Sequence, residues 1–154
     1  MPEASDITEI RHAVRQLCAK FGESYWLELD RDRGYPTEFV QALTESGFLT
    51  VLIPEAYGGS GLGVYEASII MEEVCRAGAH AGACHAQMYV MGSVLRHGSE
   101  AQKQYYLPKI AAGELRLQSF GVTEPSTGTD TTSLKTTARL DGDHYVVNGQ
   151  KVWI

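Results

Sequence analysis

Cysteine is scarce and poorly spaced for cross-linking: Cys18, Cys75 and Cys84 are the only three in 154 residues. An odd number at irregular spacing makes no disulfide framework, so reduced, cytosolic thiols are expected. Long apolar runs are missing too, and no stretch reaches the roughly 18 uninterrupted apolar residues that a membrane span requires. The opening MPEASDITEIRHAV has no apolar run preceded by positive charge, so no secretory signal is expected and the reading is a soluble cytoplasmic protein. Positive charge is thin and scattered. Thirteen Lys and Arg against nineteen Asp and Glu leave a formal net charge of −6. A nucleic-acid groove needs a concentrated positive field, and none is present. Metal ligands are equally sparse. His80 and Cys84, four apart, share a helix face, but no second ligand pair accompanies them; helix packing is expected there and no metal site is predicted. Glu72-Glu73 reads as helix surface rather than an acid/base pair.

What is present is an ordinary globular balance, 44% apolar and 21% charged, at a length suited to one domain or one domain and part of another. The first two thirds read as helices. Asp6 and Glu9 have capping-box spacing, and Ile7, Ile10, Val14, Leu17, Cys18 and Phe21 recur at three and four residues. Pro36 suits a first helical turn, with Phe39, Val40 and Leu43 inward and Gly47 as the stop. FLTVLIPEAYGGSGLG then joins two helices. Its glycines lack the G-x-G-x-x-G spacing of a dinucleotide-binding loop, so it reads as an interhelical turn. A helix over about 64–77 places Val64, Ala67, Ile70, Met71 and Val74 on one face. The next, about 79–96, is rich in small residues and carries Met88 and Met91, which fill core or line a pocket. Ser99 and Gln102 make a further capping box, opening a short helix expected to stop before Pro108.

Near residue 114 the pattern changes. LRLQSFGV, LKTTARL, HYVVNG and KVWI are short, β-branched or aromatic, and partly alternating, which is strand patterning. Asp141-Gly142 and Asn148-Gly149 are hairpin turn signals. The predicted fold is α+β: an all-α helical bundle over 1–113, followed over 114–154 by the first strands of an antiparallel β-barrel-like domain. A final apolar strand with no closing element would leave an exposed edge, so the chain reads as part of something longer.

Between the two halves lies Phe120-Gly121-Val122-Thr123-Glu124-Pro125-Ser126-Thr127-Gly128-Thr129-Asp130. Pro125 forces Glu124 to be extended, Gly128 admits close backbone approach, and four hydroxyls and several N–H groups face a short loop. Such a loop suits a flat polar cofactor edge and an adjacent phosphate; composition alone equally suits a plain Ser/Thr turn. VTEPSTGTD followed by LKTTARLDGDHYVVNGQKVWI resembles the signature of the acyl-CoA dehydrogenase family, close to T-E-P-x-x-G-S-D, a lysine-threonine strand, then N-G-x-K-x-W-I. Upstream, IPEAYGGSGLG and GSEAQKQYYLPKIAAGE resemble that family's helical domain. The resemblance covers nearly the whole chain, with several separated motifs in order.

The resemblance implies a flavoenzyme with FAD as cofactor, dehydrogenating an acyl-CoA thioester to the enoyl-CoA in fatty acid metabolism. Phe120 stands where an aromatic is usual. Val122 and Thr123 match positions whose backbone and hydroxyl address the flavin ring. Gly128 and Thr129 match those near the FAD pyrophosphate and the acyl-CoA, with threonine where serine is commoner. Trp153 and Ile154 match the pair flanking the isoalloxazine. The catalytic glutamate is expected beyond residue 154, so no catalytic residue is assigned within the chain; Glu124 matches the motif's structural glutamate. The resemblance further implies an electron-transferring flavoprotein as acceptor and a homotetramer. An acyl-CoA oxidase, another flavoenzyme on the same scaffold, or a non-catalytic acyl-CoA- or flavin-binding fragment are the alternative readings.

Overall fold

Apolar residues spaced by three and four build helices, and here they also choose the faces that meet. The computed structural model describes residues 4–154, with side chains from Asp6 onward. The chain divides between Gln118 and Ser119 into two units. The first holds six helices: α1 (Ala4–Cys18), α2 (Glu23–Asp32), α3 (Thr37–Glu45), α4 (Val64–Arg76), α5 (Gly82–His97) and α6 (Glu100–Ala111). Val14 and Leu17 of α1, Phe39, Val40 and Leu43 of α3, Ala67, Ile70 and Val74 of α4, and Cys84 and Met88 of α5 form one buried cluster. Ile53, Met91, Leu107 and Ile110 form a second.

Several elements depart from the sequence expectation. Asp6 lies inside α1 rather than capping it, so the predicted box with Glu9 does not form. Helix α2 went unpredicted because ESYWLELDRD carries no apolar stripe and none of its residues is fully buried. Aromatic edges hold it instead. Phe21, Tyr25, Trp26 and Phe39 meet in T-shaped pairs with centroids 5.0–5.2 Å apart. The Trp26 indole N–H also donates to the Phe21 carbonyl at 3.0 Å. Val64 is 77% exposed, so the inward face of α4 is carried by Ala67, Ile69, Ile70 and Val74. The capping box of Ser99 and Gln102 forms, but α6 runs through Pro108 to Ala111. A proline removes its own N–H and crowds the carbonyl four residues before it, but the turn beyond is still closed by Ala112 N–H on the Pro108 carbonyl.

The glycine-rich connector closes on the chain's own backbone. Gly61 N–H bonds the Ile53 carbonyl at 2.8 Å and Leu62 N–H the Val51 carbonyl at 2.7 Å. A Cβ on Gly59 would lie 2.1 Å from the Ile53 oxygen, so glycine there serves close packing within the connector itself. Glu73 is a further correction: its side chain is buried, not on the surface, accepting from Arg15 Nε and Arg11 Nη1 at 2.6 Å each. Helices α1 and α4 are thereby pinned by charge as well as by apolar contact. The Arg15 guanidinium, reinforced by Arg11, holds the Glu73 carboxyl down to about 2. Cys18 and Cys84 are buried and Cys75 is exposed, all as free thiols. Burial pushes the Cys84 thiol up to about 12. No helix among the described residues is long and apolar enough to cross a membrane, and no group of three metal-ligating side chains occurs among them.

In the second unit, β1 (Thr137–Asp141) and β2 (His144–Asn148) pair antiparallel, with Thr137 opposite Asn148 and Asp141 opposite His144. Gly142, at φ +63°, makes the tight turn between them. Two of the four expected strands therefore form. LRLQSFGV is irregular, and Asn148-Gly149 makes no second hairpin. The chain after β2 turns instead toward residues 121–124, where Val152 N–H bonds the Thr123 carbonyl at 3.0 Å.

Two measurements check the helical unit. Phe39→Ala, which removes the ring shared by α2 and α3, should destabilise it by about 3–5 kcal/mol in urea unfolding followed by circular dichroism. The folded value of Glu73 lies below its ordinary 4.5, so its stabilisation is complete above 4.5 and is lost as pH falls toward about 2. Glu73→Gln should flatten that part of the acid-unfolding curve while lowering stability at neutral pH.

Candidate functional site

Every residue singled out by the motif lies in the second unit, so the site can be built from that unit alone. Its frame is the Glu124 carboxylate. Pro125 keeps Glu124 extended, and a bridge between Glu124 and Thr127 closes the bend that follows. The buried carboxylate accepts Lys135 N–H at 2.7 Å, Thr136 N–H at 2.9 Å and the Lys151 ammonium at 3.0 Å. The Thr136 hydroxyl lies close to it as well, buried and without a well-formed hydrogen bond of its own. That hydroxyl, the Lys135 N–H and the Lys151 ammonium hold Glu124 down to about 2. Multiply bonded and ionised, Glu124 is a tie point for three segments of chain, not a proton acceptor.

Around this frame the unit brings together most of the predicted residues. Val122 gives its carbonyl to Lys151 Nζ at 2.9 Å, and Thr123 gives its carbonyl to Val152 N–H. Both peptide oxygens flanking the Thr123 N–H and side chain are thus occupied. The Thr123 N–H and hydroxyl themselves have no hydrogen-bond partner among the described residues. Trp153, which follows Val152, takes φ +61° and is 92% exposed. A bulky residue at positive φ is uncommon. Ile154 comes back beside Gly121, its Cδ1 3.7 Å from where a Gly121 Cβ would stand. Phe120 is 54% exposed. An indole, aromatic and aliphatic side chains and two donors without a protein partner therefore border the same short stretch of backbone.

Gly128 and Thr129 follow the Glu124–Thr127 bridge. No protein atom lies within 4 Å of a Cβ built on Gly128, so the chain's own packing does not fill that space. Thr129 is exposed and lends its carbonyl to Thr131 N–H at 3.1 Å. Asp130 orders the turn beyond by accepting from the Ser133 and Thr132 hydroxyls, which lower its pKa.

Sequence reasoning missed Lys151 and the depth of Glu124's role. The signal was present as a single cation in KVWI and a single carboxylate in VTEP, but their pairing depends on register, which spacing does not give. In the first unit, an apolar groove of about 470 Å³ lies between α4 and α5, lined by Leu52, Ala67, Met71, Met88 and Tyr89 among others. Met91 is core instead.

Comparison with known proteins agrees with this architecture. Residues 4–114 match the family model for the acyl-CoA dehydrogenase N-terminal domain, and residues 119–154 that for the acyl-CoA dehydrogenase middle domain. A probable acyl-CoA dehydrogenase of Mycobacterium tuberculosis is 40% identical over 156 residues, covering 100% of this chain and 39% of that protein. The structure of a glutaryl-coenzyme A dehydrogenase in complex with glutaryl-CoA aligns with a TM-score of 0.84 at 34% identity, over 99% of this chain and 40% of that one. A Bacillus anthracis acyl-CoA dehydrogenase complexed with FAD aligns at 0.81 and 32% identity, over 98% of this chain and 26% of that one. The chain thus spans about 39% of the length of the curated relatives it matches.

Gly149 tests the frame. A Cβ there would lie 2.1 Å from the Thr136 hydroxyl oxygen and 2.6 Å from its Cβ, against the face of Thr136 that meets Glu124. Gly149→Ala should therefore cost about 1–3 kcal/mol of stability and loosen this unit, read as faster amide exchange at Lys135 and Thr136. With both of its units matched to successive domains of one family, the chain belongs to the acyl-CoA dehydrogenases.

Proposed function

We propose that this chain supplies one side of the FAD site of an acyl-CoA dehydrogenase, an oxidoreductase that converts an acyl-CoA thioester to its enoyl-CoA. The observation that carries the reading is the Thr123 N–H and hydroxyl, which meet no protein partner on a backbone whose two flanking carbonyls are both anchored. Donors held in place on a fixed backbone suit a flat, polar-edged ring such as isoalloxazine. Bound FAD would supply the hydride acceptor, which no protein side chain can replace.

The residues have separable tasks in this reading. Thr123 donates to the pyrimidine side of the ring, where donors favour the negative charge of reduced flavin. Trp153 and Ile154 cover the ring and keep water from the reacting carbons. Phe120 adds a further apolar wall. Gly128 and Thr129 face the pyrophosphate, with Thr129 also near the acyl-CoA. The groove between α4 and α5 has the volume and apolar lining of an acyl-chain pocket. Removal of the α proton needs a base with an accessible carboxylate, and Glu124, 3% exposed and held at about 2, does not serve. The base is assigned to a glutamate beyond residue 154. An electron-transferring flavoprotein as acceptor, a homotetramer and a cytoplasmic location complete the proposal.

The test uses the full-length protein. FAD should bind with quenching of Trp153 fluorescence, and an acyl-CoA substrate added without oxygen should bleach the flavin absorbance. Thr123→Val should weaken FAD binding about tenfold, the loss of one hydrogen bond of about 1.4 kcal/mol. A colourless protein that refuses FAD would end the proposal, and rapid reoxidation of the reduced flavin by oxygen would favour an oxidase on this scaffold.

A further inference from the structure

We propose that Lys151 is a positioning residue for the flavin-facing backbone, clamping the Val122 carbonyl and the Glu124 carboxylate so that the Thr123 N–H is held toward the ligand. The inference rests on the FAD reading and gives a role to Lys151, the lysine of the N-G-x-K-x-W-I pattern, to which the resemblance assigned none.

The geometry is direct. One ammonium bonds Val122 O at 2.9 Å and Glu124 Oε1 at 3.0 Å. Lys151 is 27% exposed at its side chain, and the carboxylate it meets is 3% exposed, so the pair is only weakly screened by water. A trans peptide is planar, with its C=O and N–H pointing in opposite directions. Anchoring the Val122 oxygen therefore sets the direction of the Thr123 N–H in the same peptide plane. The next carbonyl, that of Thr123, is anchored by Val152 N–H. Residues 151 and 152 thus fix both peptide planes around Thr123, one through a side chain and one through the backbone.

The choice of lysine fits the task. An ammonium is a compact charge with three rotatable donors, able to reach two acceptors that share no plane. The planar guanidinium of arginine matches a single carboxylate better than a carbonyl and a carboxylate at an angle. Were the Lys151–Glu124 contact only a stabilising ion pair, its loss would lower the melting temperature and leave the bound flavin unchanged. As a positioning contact it controls the donor that the flavin meets, so its loss changes the bound flavin itself.

The experiment compares full-length wild type, Lys151→Met, Lys151→Arg, Glu124→Gln and, as a control, Arg139→Met on the exposed β1 strand. The readouts are FAD dissociation constant, the flavin absorption spectrum at saturating FAD, and the flavin midpoint potential. Lys151→Met is expected to bind FAD about tenfold more weakly, with an altered spectrum and a more negative potential. Lys151→Arg should recover part of each change, and Arg139→Met should match wild type. If Lys151→Met does not fold, Glu124→Gln carries the test. It is isosteric and removes the charge that holds the ammonium, while one of the two oxygens that take the Lys135 and Thr136 N–H groups becomes an amide donor, and the spectrum and potential should move in the same direction. Folded Lys151→Met, or failing that Glu124→Gln, with wild-type affinity, spectrum and potential overturns the inference while leaving the FAD reading intact. A wild-type protein that takes up no FAD overturns both.

Discussion

A single carboxylate buried among donors organises the second unit. Glu124 joins the end of the 120–124 stretch, the backbone at 135–136 and the Lys151 side chain, segments that share no regular ladder with one another. A buried charge is tolerated only where its lone pairs are met, and an ionised carboxylate met on several sides becomes a rigid node. Within residues 119–154 these polar ties link segments that the β1–β2 pairing does not reach. The same node excludes Glu124 from acid/base work, because a carboxylate kept ionised by several donors is a poor proton acceptor.

The helical unit reaches order by the opposite route. Its clusters around Phe39, Ile70 and Val74 and around Met91, Leu107 and Ile110 are apolar and buried. Charge enters where Glu66 caps α4 through the Gly63 N–H and where Glu73 meets Arg11 and Arg15 and ties α1 to α4. Apolar contact determines that two helices meet; a buried carboxylate held by two arginines in fixed geometry is far less tolerant of sliding. Aromatic edges do a comparable job for α2, which has no apolar stripe of its own.

Much of this was legible in the sequence wherever periodicity and local chemistry coincide. The faces of α1 and α3, the Ser99–Gln102 cap and the Gly142 turn follow from spacing and backbone preference within a few residues. The departures also have physical causes. Pro108 did not end α6 because the lost donor is one of many and the following turn closes normally. Val64 faces solvent because it opens α4, where a residue sits on the rim of its face. LRLQSFGV and KVWI have strand composition without regular strands, since β structure needs a partner at the right register and composition names no partner.

The candidate site divides along the same line. The residue types that suit a flavin edge — hydroxyls, a glycine, an indole — and their order along the chain were set by the sequence, because a motif is a local pattern. Which of their atoms remain unpaired was not. That the Thr123 N–H meets no protein partner while its neighbouring carbonyls are occupied, and that Lys151 reaches Glu124 across 27 residues, are decided by contacts between distant segments. Hydrogen-bond satisfaction is a property of pairs, and only the tertiary structure determines which pairs form.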